Sequence, residues 1–524
     1  MRKSVVSFAI LLFLGTYPAS AQNASPAAAQ DSFAKPPTPG PEVYKLEDGY
    51  MPWPVASADQ SYVAIDGKHL HTYVEQLAQI SEHYRDSGHP QYWGRIEGTS
   101  GDDETSKWVA DKFRAAGLEV KIQSFDLPPQ WTPESWEVNA VAGGKTVNLS
   151  SAFPGLRSVG TSAEGLDLEV VYVGLGNAPD FIGRDVKGKA VIIYSIPEPG
   201  IWGNSAAYNG AVSRAENAGA AAVFFVDALP GNIRYAFPIS RNIRSTANGG
   251  AEMQAAGVPE FSLGLEDAES VLQMIGQGGN PHIKFRLDVK NVAGLKTSNV
   301  YGILPGVTDE KIIVVAHKDG YFYASGDNAS GLATMVGLAE YFAKIPKEQR
   351  RRTLEFVGTP GHHGTAVGIP WMAQNAGTAL AKTALLMNAE HTSLTQPYYF
   401  AGRVRMSNAV NAEHWNFNGS QRLIDLGQQA LASFGVPTYQ QMDGVAFAEI
   451  SAASKLVPSF GMINVDVYYH SDHETPEMVP WSGLGSVTRA YAKIIDQANK
   501  LDIKDLLPPG MSEIMPADAG GSGH

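Results

Sequence analysis

The sequence predicts an α/β protein: a mixed, mostly parallel sheet flanked by helices, with an inserted, mostly β module. Three observations predict it. Ile312-Ile313-Val314-Val315-Ala316 is a continuous apolar run, the pattern of a strand buried on both faces of a parallel sheet. Residues 331–343 repeat apolar side chains at helical period, with Leu332, Met335, Val336, Ala339 and Phe342 on one face. Residues 155–290 have another texture, short strands separated by glycine-rich turns.

In chain order, Arg2 and Lys3 precede an apolar run from Val5 to Leu14 and then Ala19-Ser20-Ala21, the layout of a cleavable secretory signal over 1–21. That run is too short to span a bilayer. Residues 22–60 are rich in Pro, Ala, Ser and Gln and are expected to form a loose leader. The main domain is expected over 61–154 and 291–505, the insert over 155–290, and a flexible tail over 506–524. Helices are expected at 67–85 and 101–116, the second closed by Gly117. A strand follows at 118–125. In the insert, strands fall at 168–173, 190–194 and 221–226, with a helix near 213–218, and its expected role is a lid or substrate gate, or none. Further strands fall at 353–358, 383–387 and 459–465.

Composition excludes several classes. The chain has no cysteine, so neither a disulfide framework nor a thiol-based metal site or nucleophile is available. A formal net charge of −13 argues against nucleic acid or an anionic membrane as partner. No Gly-x-Ser-x-Gly elbow places a serine nucleophile, and the glycine-rich stretches lack the strand–loop–helix setting of a nucleotide site.

Five separated segments carry metal-type side chains: His317-Lys318-Asp319, Gly326-Asp327-Asn328-Ala329-Ser330-Gly331, Gly361-His362-His363-Gly364, Asn388-Ala389-Glu390-His391 and Tyr469-His470-Ser471. They supply His317, Asp327, His363, Glu390 and His470, a mixed imidazole and carboxylate set of the kind zinc favours. His317, His363, Glu390 and His470 each fall just past the carboxyl end of an expected strand, the edge where open α/β sheets bind ligands. Asp327 could instead cap the following helix. His391, His414 and His473 read as solvated or outlying. Trp415, Tyr468, Tyr469, Asp443, Arg403 and Arg405 are weaker substrate-contact candidates.

These segments, with Tyr-His-Ser-x-x-Glu-Thr at 469–475, resemble the M28 family of zinc peptidases over nearly the whole mature chain. The resemblance implies a zinc-exopeptidase-like fold, residues 155–290 as a protease-associated domain, and Gly94-Arg95-x-Glu97-Gly98-Thr99 as an amino-terminal family motif. It also implies zinc, one or two ions. His317 and His363 would hold one ion, Glu390 and His470 the other, and Asp327 would bridge them. Asp319 would accept the free ring N–H of His317 and fix its tautomer. The departure is His362-His363, where the family carries a Glu-Glu pair of general base and zinc ligand. His363 remains a ligand type. His362 takes the base position as an imidazole, facing the substrate while His363 faces the metal, since neighbours in extended chain alternate sides. Two imidazoles in place of two carboxylates make the site more positive by about two units, which favours an anionic ligand.

The resulting expectation is an exported, zinc-dependent hydrolase acting on amide bonds of peptides or small amide-containing substrates. The alternatives are a metal-dependent enzyme of another class (a non-peptide amidohydrolase or a lyase) and an inactive binding protein on the same scaffold.

Overall fold

The computed structural model describes residues 53–195, 210–236, 244–245, 251–252, 257–365, 367–400, 403–443, 448–464 and 467–516. The secretory-type segment 1–21 and most of the leader lie outside the described residues.

The central sheet has eight strands. Their spatial order is Glu119–Asp126, Lys296–Leu304, Arg352–Thr359, Thr308–His317, Thr383–Ala389, Ser459–Ile463, Glu413–Asn418 and Thr438–Asp443. The four strands from Arg352–Thr359 to Ser459–Ile463 run parallel, and antiparallel pairings flank them. The apolar run of the Thr308–His317 strand is buried on both sides, as its composition demands. Ile312, Val314 and Ala316 enter a core shared with the helices Gly67–Asp86, Ser100–Ala115, Gly331–Ala343, Gln421–Ser433 and Trp481–Ala498. Ile313 and Val315 enter the opposite core, against Ile369 and Met372 of the short helix Gly368–Gln374.

The second sheet also has eight strands, and it begins before residue 155. Gln130–Ala142, Lys145–Asn148 and Phe153–Pro154 all belong to it, so the expected boundary moves back to about Gln130. The physical reason is pairing: Gln130–Ala142 runs antiparallel to His282–Val292 along its whole length. The inner strands Leu166–Tyr172, Ala190–Ser195, Ala222–Asp227 and Glu260–Leu263 are parallel, with the helices Ala211–Asn217 and Leu265–Gly276 packed on them. The two sheets are joined through a shared aromatic core. Phe322, five residues past His317, is fully buried with its ring 5.0 Å from Phe153 and 5.3 Å from Trp93.

The expected flexible tail is also corrected. Leu506 is buried in the main core, its carbonyl accepts from Ser420 N, and Lys382 N donates to Ile514 O at 2.9 Å. Residues 517–524 lie outside the described part. Among the described residues no helix is long and apolar enough to cross a membrane.

Candidate metal centre

Asp327 is the hub of the arrangement. Its carboxylate is 1% exposed, and imidazoles face each of its oxygens. His317 Nε2 lies 2.9 Å and His391 Nε2 2.8 Å from Oδ1; His363 Nε2 and His470 Nε2 each lie 2.9 Å from Oδ2. Glu390 Oε1 is 4.0 Å from His317 Nε2 and 3.4 Å from His362 Nε2. The sequence-selected His317, Asp327, His362, His363, Glu390 and His470 thus converge at the carboxyl edge of the central sheet. The pairing differs from the one implied by the resemblance. His363 shares its Asp327 oxygen with His470, and His317 shares the other with His391.

His317 is the last residue of its strand. Its Nδ1 lies 3.1 Å from the backbone carbonyl of Asp319. A carbonyl can only accept, so Nδ1 carries the proton and Nε2 presents its lone pair to the centre. The expected partner, the Asp319 carboxylate, is 3.7 Å away and is engaged elsewhere. Its Oδ1 accepts from His362 N at 3.1 Å and its Oδ2 from His363 N at 2.9 Å. Asp319 therefore shapes the turn that presents both histidines. That turn also overturns the expectation of opposite-facing neighbours. Residues 362–365 are a turn, not extended chain, and both rings face inward, their centroids 4.7 Å apart. His362 stacks on His317 at 4.4 Å.

The Asp-Asn-Ala-Ser-Gly segment welds two ligand-bearing elements together. Asn328 donates to Ala389 O at 3.0 Å, and its Oδ1 accepts from Gly331 N and His391 N. Gly331 is required by contact: a Cβ there would lie 2.0 Å from Ala389 O. Asp327 is not a helix cap, because its carboxylate points into the cluster and the helix starts later, at Gly331.

Sequence reasoning placed His391 outside the site. It is 1% exposed, its backbone is left-handed (φ 50), and its Nδ1 donates to Asn464 O, which aims Nε2 at Asp327. Glu474 closes the Tyr-His-Ser-x-x-Glu run, whose spacing alone assigns it no role. One oxygen accepts from Asp327 N at 2.6 Å and the other from His470 N at 3.1 Å, so one carboxylate locks two segments. His470 is also left-handed, with φ 62, a conformation retained only where surrounding contacts enforce it. Arg95 acts similarly from behind. Fully buried, it donates to the carbonyls of Lys318, Tyr323 and Ala324 and so holds the loop between His317 and Asp327. Glu97, from the same stretch, accepts from Thr365 N and Oγ1.

Among the weaker candidates, Tyr469 stacks on His470 at 3.7 Å, and Trp415 is a core residue. The side chains of Arg403, Arg405 and Asp443 lie outside the described part.

The electrostatics follow from crowding one carboxylate with imidazoles. Burial alone would raise Asp327, but His363, His391 and His317 outweigh it and hold the acid well below the usual carboxylate range. His391 is pushed up to about 10, Asp327 overcoming the cost of burial. His362 is driven well below its ordinary value, by burial first and then by His317 and His363. His470 is pushed down to about 4, by burial and then by His363. Two further acids stand close by, Glu449 and Glu413. Burial raises both well above the ordinary range.

The donor set fits a transition metal. His317 Nε2, His363 Nε2, His391 Nε2, Asp327 Oδ1 and Glu390 Oε1 are buried and have no partner of hydrogen-bonding geometry among the described residues. Yet the N···O separations to Asp327 are 2.8–2.9 Å. For His317, whose Nε2 presents a lone pair to the carboxylate oxygen, a cation between the two atoms would satisfy this close approach. Two donors held at zinc–ligand distances of roughly 2.0–2.1 Å stand about 2.9–3.4 Å apart, the separation these pairs have.

An open α/β sheet with such a cluster at its carboxyl edge defines a protein with a candidate metal centre at the usual ligand-binding position of that fold. Comparison with known proteins narrows this class. Residues 299–495, the segment that carries all the clustered side chains, match the model of peptidase family M28. The aminopeptidase YwaD of Bacillus subtilis (strain 168) is 26% identical over 267 residues, covering 50% of each chain. The chain thus spans about half the length of this curated relative. The zinc aminopeptidase BSAP of Bacillus subtilis superposes with a TM-score of 0.60 at 17% identity, over 84% of this chain and 98% of that one. A peptidase M28 precursor from Shewanella amazonensis SB2B gives a TM-score of 0.62 at 15% identity, over 84% of this chain and 100% of the other. The fold is that of these structures.

Proposed function

We propose that this chain is an exported, zinc-dependent hydrolase that cleaves amide bonds of peptides or peptide-like substrates. The observation that supports this most is Asp327, with paired imidazoles on each carboxylate oxygen, in a segment that matches the model of peptidase family M28. Zinc, one or two ions, would be held by His317, His391 and Glu390 on one side of Asp327 and by His363 and His470 on the other. Bound there, zinc supplies Lewis-acid polarisation of a carbonyl and lowers the pKa of water.

His362 is the proton-handling group. Its side chain is the most exposed imidazole of the cluster, 18% against 0% for His317, 8% for His363, 1% for His391 and 5% for His470. Its depressed basicity keeps Nε2 neutral and able to accept a proton. A cavity of about 530 Å³ between the two sheets reaches His363 and Tyr321 and is lined by Tyr92, Trp131, Arg157 and Glu97; it has the size and mixed lining of a substrate site. The second sheet is the protease-associated module. The basic start and short apolar run at 5–14 support export.

Metal quantification combined with hydrolysis of a panel of aminoacyl and dipeptide substrates tests the proposal. Wild type is expected to bind zinc and cleave at least one substrate, and His362→Ala to lose about 10²–10⁴-fold in kcat, the span of general-base catalysis. If wild type cleaves nothing while His362→Glu gains activity, the native chain is an inactive relative and the proposal fails.

A further inference from the structure

His470 sits on a loop that has little regular structure of its own, and the second sheet holds it in place. Ser471 forms an isolated antiparallel bridge with Tyr235, and Ala236 N donates to His470 O at 2.9 Å. Asp472 N donates to Arg234 O at 3.1 Å. In return Asp472 Oδ1 accepts from Arg234 N at 3.0 Å, and Oδ2 accepts from Arg234 Nε at 2.9 Å. Beneath these polar links, Leu229 and Ile233 of the second sheet's loop are fully buried against Val467 and Tyr468. The anchoring runs from three residues before His470 to two after it. The anchor starts immediately past Ala222–Asp227, a strand at the heart of the second sheet.

We propose that Arg234 is a positioning residue of the metal centre, and that the second sheet acts as part of the metal-binding scaffold and not only as a lid. The proposal rests on the metal reading above. Its physical basis is the left-handed backbone of His470, which needs support from both flanks. Glu474 supports one flank by accepting from His470 N; Arg234 and Asp472, with Ala236, support the other. Arg234 Nε and its backbone N–H grip both oxygens of Asp472, an arrangement that fixes loop orientation as well as position. Released from it, the His470 ring is no longer held over Asp327 Oδ2.

The test is a zinc titration of the full chain against a competing chelator, on wild type, Arg234→Met, Arg234→Lys, Asp472→Asn, His470→Ala and the double variant Arg234→Met/His470→Ala. Circular dichroism of the chelator-treated proteins checks that each is folded. Arg234→Met is expected to weaken zinc binding about 10–100-fold, the usual cost of removing a group that orients a ligand. Asp472→Asn should give a similar loss, and Arg234→Lys should recover part of it. Because Arg234 acts through His470, the double variant should bind zinc no more weakly than His470→Ala within threefold. Affinity within threefold of wild type in folded Arg234→Met, or losses that add in the double variant, would overturn the proposal while leaving the metal reading intact. A wild type that takes up no zinc would overturn both.

Discussion

Glu474→Gln isolates the lock between the two halves of the centre. The substitution preserves length and planarity but exchanges one acceptor oxygen for an NH2 group. In the native protein the two carboxylate oxygens accept from Asp327 N at 2.6 Å and His470 N at 3.1 Å, and the side chain is buried. A glutamine can accept only one of these bonds. The other backbone N–H then faces an N–H donor, and a stranded buried donor costs about 1–3 kcal/mol. The surviving bond also changes from charge-assisted to neutral, a loss of about 1 kcal/mol on typical values. The sum is roughly 2–4 kcal/mol, and a tenfold change in affinity corresponds to about 1.4 kcal/mol. Had all of it fallen on metal binding, zinc affinity would drop by about 30- to 1000-fold; sharing it with the metal-free fold places the expectation in the lower part of that range. The assay is zinc titration against a chelator, run beside thermal unfolding of the zinc-free and zinc-loaded forms. The loaded form should lose more of its thermal midpoint than the free form. Zinc affinity within threefold of wild type, in a folded variant, would refute the idea that this carboxylate joins Asp327 to His470.

Two other predictions follow from groups around the centre. Glu97 is pushed up to about 7 from 4.5, by burial first and then by the charge of Asp319, so between those pH values the unfolded chain has released a proton that the folded chain keeps. Stability of chelator-treated wild type should therefore fall as pH rises through this window and level off above it. Relative to it, Glu97→Gln should gain up to roughly 3 kcal/mol at 1.36 kcal/mol per unit; a difference independent of pH in denaturant titrations would remove the cause assigned here. Gly326→Ala places a Cβ 2.3 Å from Leu394 Cδ2 and 2.7 Å from Glu474 Oε1. It should cost about 1–3 kcal/mol and weaken zinc binding as well, whereas a stability loss without an affinity loss would detach Glu474 from the metal.

What was legible in the sequence was periodicity and strand-end position. The helix at 331–343 and the strand at 312–316 follow from apolar spacing alone, and the strand ends place His317 and Glu390 at the sheet edge. What was illegible depends on backbone conformation away from regular elements. His391 follows Glu390 directly, and only a left-handed turn brings both toward one point. The His362-His363 turn depends on the Asp319 carboxylate, more than 40 residues upstream, gripping both amides. The early start of the second sheet was readable in part, since Trp136, Val138 and Ala140 alternate as a half-buried strand. Its partner, His282–Val292, is remote in sequence, so nothing local to residue 130 assigned that strand to the second sheet. The clamp of Arg234 on Asp472 spans 238 residues and carries no local signal at all.

The histidine pair is better understood through the charge of the whole centre than through one missing base. Among the described residues, only Asp327 and Glu390 place carboxylates directly among the clustered imidazoles. Asp319 and Glu474 stand behind them, but each spends both oxygens on backbone N–H groups. Arg95 adds a buried cation, and Lys318 is neutralised by Asp102. The imidazoles bind a metal as neutral ligands and add no negative charge. The four carboxylates and Arg95 sum to about three units negative, so one divalent ion leaves the centre about one unit negative and a second about one unit positive, a state that an anionic ligand group offsets. Glutamates at 362 and 363 would have more than cancelled that excess. In the function proposed here, imidazoles at these positions, with His391 beside them, would shift the electrostatic preference of the centre toward negatively charged ligands. With zinc bound, the same shift would favour ionisation of water at the centre, so the proton acceptor beside it could be weak. His362, neutral and the most exposed ring of the cluster, suits that lesser demand.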